Sequence, residues 1–311
     1  MIRSAILLTL ALAYPAGAFE LAFPVDCTLG ETCYIQQFYD HDPGPGATDF
    51  ACGPLSHEGH DGTDIAIPTQ AAMAAGVNVL AAAPGVVKGV RDGVADFVPA
   101  VPVKECGNGV VIDHGQGWET QYCHMKQGSV VARPGDQVEA GAVLGQIGQS
   151  GMAEFPHLHL SVRDQGQERD PFAPNANACG QRDDDLWAED LLLEPGSLLV
   201  TGIADHVPDY DTIKAGLASP DLPGAAPALV IWSYGFGFRD GDSILFSMTG
   251  PEGEVITERV QMEKTQALAF RAVGRKLKTT AWPAGVYIGT ATLIRDEQEL
   301  DHQSLSLTVG P

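Results

Sequence analysis

Short apolar runs closed by glycine recur along nearly the whole chain, and this cadence constrains the fold more than any other feature. Val77 to Ala81, Gly85 to Val90, Gly109 to Asp113, Glu119 to His124, Ala142 to Ile147 and His157 to Val162 are each the length of a strand. With 36 glycines and 21 prolines among 311 residues, the chain is punctuated too often for long helices. Only Thr69 to Ala75 reads as a helix in this stretch. Gly115-Gln116-Gly117 lies between two runs and predicts a hairpin turn. A second series follows: Ser197 to Gly202, Ala228 to Trp232, Ser243 to Ser247, Val255 to Val260, Ala267 to Ala272, Gly285 to Ile294 and Ser304 to Val309. Its spacing predicts a sandwich of short strands, read here as immunoglobulin-like. The expected class is mainly β throughout.

The N-terminus reads as an export signal over residues 1–18. Arg3 is the basic start, Ala5 to Ala13 the apolar stretch, and Ala16-Gly17-Ala18 the small-residue cleavage site. The apolar stretch is too short to span a bilayer, and no later segment is long and apolar enough to do so. Export sets the reading of the six cysteines, because an even count in an oxidising compartment points to disulfides. Six cysteines allow fifteen pairings. We expect Cys27–Cys33, which closes a small loop; Cys106–Cys123, which the hairpin brings together; and Cys52–Cys179. No Cys-x-x-Cys pair supports a thiolate metal site. Residues 19–56 read as a loop-rich, stapled extension, 57–180 as the first domain, 181–196 as an acidic linker and 197–311 as the accessory sandwich. Without Arg3 the mature chain has 17 basic against 40 acidic residues, a charge of -23, which argues against nucleic acid and anionic membrane as partners.

Two histidine groups carry the chemistry. In His60-Asp61-Gly62-Thr63-Asp64, a turn at Gly62 brings His60 and Asp64 toward one ion. Zinc takes nitrogen from histidine and oxygen from aspartate, and an open catalytic site has three protein ligands. In His157-Leu158-His159 a strand places both imidazoles on one face and Leu158 in the core. His124 ends the hairpin, and by the same period Tyr122 shares its face and is a candidate substrate contact. His57 and His114 read as loop and turn residues, and an Asp40-His41-Asp42 segment stands in the extension.

In these motifs and their order the chain resembles the lysostaphin-type (LytM-like) zinc endopeptidases that cleave peptidoglycan cross-bridges. His60-Asp-Gly-Thr-Asp64 resembles the first ligand motif, His-x-Gly-x-Asp. Val79 to Val87, Gly107 to Gly115, Thr120 to His124, Gly135 to Gly141, Gly145 to Gly148 and Pro156 to Leu160 follow in family order. The resemblance covers about residues 57–172. It implies an antiparallel β groove with zinc at its floor, held by His60, Asp64 and His159. It makes His124 and His157 the catalytic histidines, His157 helping to activate the water and His124 bonding the oxyanion. It implies a hydrolase of peptidoglycan peptides; the chain is also expected to be a monomer and, from its signal, periplasmic or extracellular. The alternatives are a secreted protease of glycine-rich protein and a non-catalytic regulator of another wall hydrolase. The loop 91–106 is longer than the family's usual connection, and Cys123 replaces a small residue before the hairpin histidine.

Overall fold

A computed structural model describes residues 18–97, 105–181, 184–191, 193–218 and 222–310. Most of the segment read as an export signal and part of the 91–106 loop therefore lie outside the described residues. The molecule is built almost entirely of antiparallel strands, as the glycine-broken runs predict.

The first domain centres on one mixed-length sheet. Its strands are β1 (Tyr34–Gln37), β2 (Thr63–Ala66), β4 (Gly85–Arg91), β5 (Asn108–Gly115), β6 (Trp118–Met125), β7 (Gln137–Val138), β9 (His157–Asp164) and β10 (Gln167–Arg169). Their order is β1-β2-β9-β6-β5-β4-β7, with β10 also paired to β9. A separate pair, β3 (Asn78–Leu80) with β8 (Val143–Gln146), and the short helix α1 (Gln70–Ala75) complete the domain. Thr69 caps α1 by accepting the Ala72 amide, and Gly76 ends it at a positive φ. The β5–β6 hairpin turns at Gly115-Gln116-Gly117, all three with positive φ.

The register of β9 follows from its core face. Leu158 pairs with Ile65 across β2, and both are fully buried. Each such side chain contributes roughly 1.5–3 kcal/mol by leaving water. A slip of one residue would expose Leu158 and bury the two histidines, so the apolar face fixes the polar one.

The extension and the acidic stretch after the first domain are less independent than their sequences suggest. β1 of the extension pairs with β2, and Leu21, Val25, Ile35 and Phe38 belong to the same apolar core as Leu158. Leu186 and Ala188 bracket Leu21 with backbone hydrogen bonds of 2.7 and 2.9 Å, and Trp187 packs on Phe172. All three expected disulfides form: Cys27–Cys33, Cys52–Cys179 and Cys106–Cys123.

The second domain is a two-sheet sandwich. One sheet runs β11 (Ser197–Ala204), β12 (Ala228–Phe238), β15 (Gln266–Lys276). The other runs β14 (Gly253–Gln261), β13 (Ser243–Gly250), β16 (Gly285–Arg295), β17 (Gln298–Val309). Ile231, Phe246, Tyr287 and Leu293 from the two sheets meet in one core. β12 is covered on both faces. Its other side meets the helix α2 (Tyr210–Ala215) through Trp232 and Tyr234, and the first domain through Phe236. Phe236 stacks on Tyr34 at 4.4 Å between ring centres. Gly216, the left-handed cap of α2, lies against α1: a Cβ there would stand 2.8 Å from Ala71 Cβ and 3.0 Å from Thr69 Oγ1. Two contacts, one apolar and one between helices, therefore fix the sandwich on the sheet of the first domain.

Candidate metal centre

The β2–β9 register sets Asp64 directly opposite His159, and β6 sets Cys123 opposite His159 on the other side. Directly paired residues on one face have Cβ atoms about 4.5–5.5 Å apart. Asp64 Oδ1 is 2.9 Å from His159 Nδ1. His60, on the loop before β2, brings Nε2 to 3.2 Å from each of these atoms. Donor atoms around tetrahedral zinc at about 2.0–2.1 Å are about 3.3 Å apart, so the three atoms match three corners of such a site.

The opposite nitrogen of each imidazole is committed elsewhere. His60 Nδ1–H donates to the Phe38 carbonyl at 2.7 Å, which leaves its Nε2 lone pair aimed inward. His159 Nε2 lies 3.2 Å from Asp61 Oδ1 and 3.1 Å from Ser161 Oγ, which leaves Nδ1 for an ion. Such outer partners set tautomer and ring orientation in metal sites. Charge agrees with geometry. Burial alone would raise the Asp64 carboxyl, but the His157 imidazole and hydrogen bonds from His159 and His60 hold it well below the usual range. Burial lowers His159, yet Asp61 and Asp64 outweigh it and push the ring up to about 9. Buried Asp64 and the more exposed Asp61 thus draw positive charge to the point where the three donor atoms converge. His60, Asp64 and His159 fit a divalent cation.

Two further imidazoles stand beside this triangle. His157 Nδ1–H donates to the Phe155 carbonyl at 2.8 Å, and its Nε2 is 3.5 Å from Asp64 Oδ1. His124 Nδ1–H donates to the Ser150 carbonyl at 2.8 Å. Their ring centres are 4.6 Å apart, and His124 lies 5.9 Å from His159. Burial, reinforced by the imidazoles of His157 and His159, pushes His124 down to about 3. Burial also lowers His157. Both rings are therefore neutral near pH 7, each with an Nε2 lone pair available. All five residues line a cleft of about 1360 Å³, and the Cys106–Cys123 disulfide lines it too.

Tyr122 does not join them. It is fully buried, and its hydroxyl accepts from the Ala82 amide at 2.7 Å and from Thr120 Oγ1 at 3.0 Å. The period of two fails because His124 has φ +61°. That left-handed residue, held by its amide donating to the Cys106 carbonyl at 2.8 Å, turns the ring into the cleft while Tyr122 remains on the core face with Leu160. Left-handed backbone at a non-glycine residue is costly and concentrates at functional sites. His41 is also elsewhere: its Nε2 is 2.7 Å from buried Asp170. Asp40 accepts the amides of Asp42, Thr48 and Gly59, so that acidic loop fastens itself and does not reach the metal.

Sequence reasoning missed Asp61, Ser161 and the Phe38 carbonyl. Ser161 is two residues beyond His159 on the same strand face, so strand alternation could have found it. Gly62 is needed for close approach as well as for a turn: a Cβ there would lie 2.6 Å from Leu160 O and 2.7 Å from His159 Nε2. Gly62→Ala is expected to displace His159 and weaken zinc affinity about 10- to 100-fold, the range found for outer-partner changes. Competition with a chromogenic chelator measures it; unchanged affinity would contradict the packing argument.

Comparisons agree with the geometry. Residues 58–171 match Peptidase family M23. The DD-carboxypeptidase/endopeptidase Mpg of Neisseria meningitidis serogroup B is 34% identical over 116 residues, 37% of this chain and 22% of that protein. The peptidoglycan DD-endopeptidase ShyA of Vibrio cholerae is 31% identical over 103 residues, 33% of this chain and 20% of that protein. The chain thus spans about a fifth of the length of these relatives. Among solved structures, a mutant catalytic domain of the prophage-encoded M23 protein EnpA from Enterococcus faecalis is 26% identical, with TM-score 0.35, covering 51% of this chain and 100% of that one. The lysostaphin catalytic domain from Staphylococcus simulans is 20% identical, with TM-score 0.29, covering 43% and 85%. Residues 58–171, the stretch that holds all five histidine and aspartate positions of the site, are thus the part of this chain that is similar to Peptidase family M23.

Proposed function

We propose that the protein is an exported zinc endopeptidase that hydrolyses peptide cross-links of peptidoglycan. The observation that carries this reading is the convergence of His60 Nε2, Asp64 Oδ1 and His159 Nδ1 within 3.2 Å, with two neutral histidines beside them. Export is supported by the signal-like N-terminus and the three disulfides, and no helix among the described residues is long and apolar enough to cross a membrane.

His60, Asp64 and His159 would hold a zinc ion, which would supply Lewis acidity toward the scissile carbonyl and the attacking water. His157 is the better general base. Its Nε2 carries the lone pair, and Asp64 Oδ1 at 3.5 Å stabilises the ring once it takes the proton. His124 has Nδ1–H committed to Ser150, so it donates to the oxyanion only when Nε2 is also protonated. With burial holding the ring at about 3, it gains that second proton from solvent only as negative charge forms on the carbonyl oxygen.

The test is release of soluble fragments from purified sacculi. Zinc-loaded protein is expected to release them, and protein stripped with a chelator is expected to release none until zinc is restored. Zinc-loaded protein that leaves sacculi intact but cleaves glycine-rich protein would replace this reading with the protease one. Lowering the pH should remove zinc and activity together, because ligand imidazoles bind metal only when unprotonated and Asp61 and Asp64 favour the proton on His159.

A further inference from the structure

The cleft over the metal centre has a wall that the M23 domain does not supply. Tyr210 and Lys214 of α2, and Lys264 through Leu268 at the β14–β15 turn, line the same space as His60 and His157. This wall is fixed in place, since Leu268 joins the Tyr34–Phe236 apolar contact and Gly216 sits against α1. The chain is strongly acidic, with 40 acidic and 18 basic residues, yet three cations line this cleft. Two are engaged. Arg163 binds Glu119 at 3.1 Å and Glu168 at 2.9 Å. Lys214 binds Asp211 at 3.0 Å and lies 4.9 Å over the Tyr210 ring. Lys264 is exposed and has no ion pair among the described residues. Glu105 and Glu154, which also line the cleft, repel an anion and leave Lys264 as its unpaired cation.

We propose that the sandwich domain is a specificity element of the peptidase, and that Lys264 binds a free carboxylate of the peptide lying in the cleft. The inference rests on the endopeptidase reading and names its substrate class more narrowly: stem peptides with an unamidated carboxylate beside the scissile bond. An exposed lysine and a carboxylate attract each other weakly, and salt screens the pair. The pair acts on substrate affinity, so its loss raises KM and spares kcat.

The test is binding by fluorescence anisotropy, with a labelled stem tetrapeptide bearing free carboxylates and its fully amidated counterpart, on the full-length chain at low salt. Wild type is expected to prefer the free acid. Lys264→Ala should weaken the free acid about 3-fold, Lys264→Glu about 10-fold, and the amide should bind all three proteins alike. The preference should shrink as salt rises. Lys278→Glu makes the same charge change outside the cleft and should match wild type. The proposal is overturned if wild type binds the two peptides equally or not at all, if Lys264→Glu weakens both alike, or if Lys278→Glu has the same effect. Because binding is measured without cleavage, intact sacculi would overturn the hydrolase reading separately.

Discussion

Replacing His157 with alanine is expected to lower hydrolysis about 100- to 1,000-fold while zinc content stays at the wild-type level. The separation of effects comes from geometry. His157 Nε2 stands 3.5 Å from Asp64 Oδ1, whereas the three donor atoms of the candidate metal site are within 3.2 Å of one another without it. His124→Ala should behave in the same way, because its ring is held by the Ser150 carbonyl and its centre lies 5.9 Å from that of His159. Asp64→Ala should lose zinc and activity together. Asp64 supplies the only carboxylate of the triangle and partners both ligand histidines. Metal analysis beside fragment release distinguishes the two classes. Zinc loss in His157→Ala would make that residue a ligand, and full activity in it would remove it from the chemistry.

The contrast shows which parts of the site could be read from residue order. Asp64 and His159 were expected as ligands from the resemblance, alternation having put His157 and His159 on one face, and the core pair Ile65 and Leu158 enforces the register that sets Asp64 opposite His159. His60 was legible through its spacing to Asp64. Its orientation was not, because the group that fixes it is the backbone carbonyl of Phe38, which any residue could provide. The same holds for His124 and His157, held by the carbonyls of Ser150 and Phe155. Tyr122 was misread because alternation assumes extended backbone at His124, and φ +61° there breaks it. In the extension, β1 was invisible since Tyr34-Ile-Gln-Gln37 does not alternate. It becomes a strand because β2 offers it an edge, a long-range cause that no local window contains. The cleft wall from α2 and the β14–β15 turn is likewise a matter of how two domains meet.

Removing the Cys52–Cys179 disulfide is expected to be the most destabilising of the three losses, by about 5 kcal/mol on loop entropy for a separation of 127 residues. The same relation gives about 3 kcal/mol for Cys106–Cys123, 17 residues apart, and about 2 kcal/mol for Cys27–Cys33, 6 apart. Position adds to the entropic argument. Cys52–Cys179 ties the extension to the segment after β10, beside the Gly180 amide that donates to Phe50 at 2.7 Å. Phe50 and Phe38 pack on Phe172, and the Phe38 carbonyl orients His60. Loosening this corner should therefore reach the metal as well as the fold. The Cys52→Ser, Cys179→Ser protein is expected to unfold at lower denaturant than the other two paired variants and to bind zinc more weakly than wild type. A denaturant series read by fluorescence, run with and without excess zinc, checks both. If stability falls as expected and zinc affinity does not move, the extension steadies the domain without orienting His60. If the Cys27–Cys33 variant is the least stable, native packing at that small loop outweighs chain entropy.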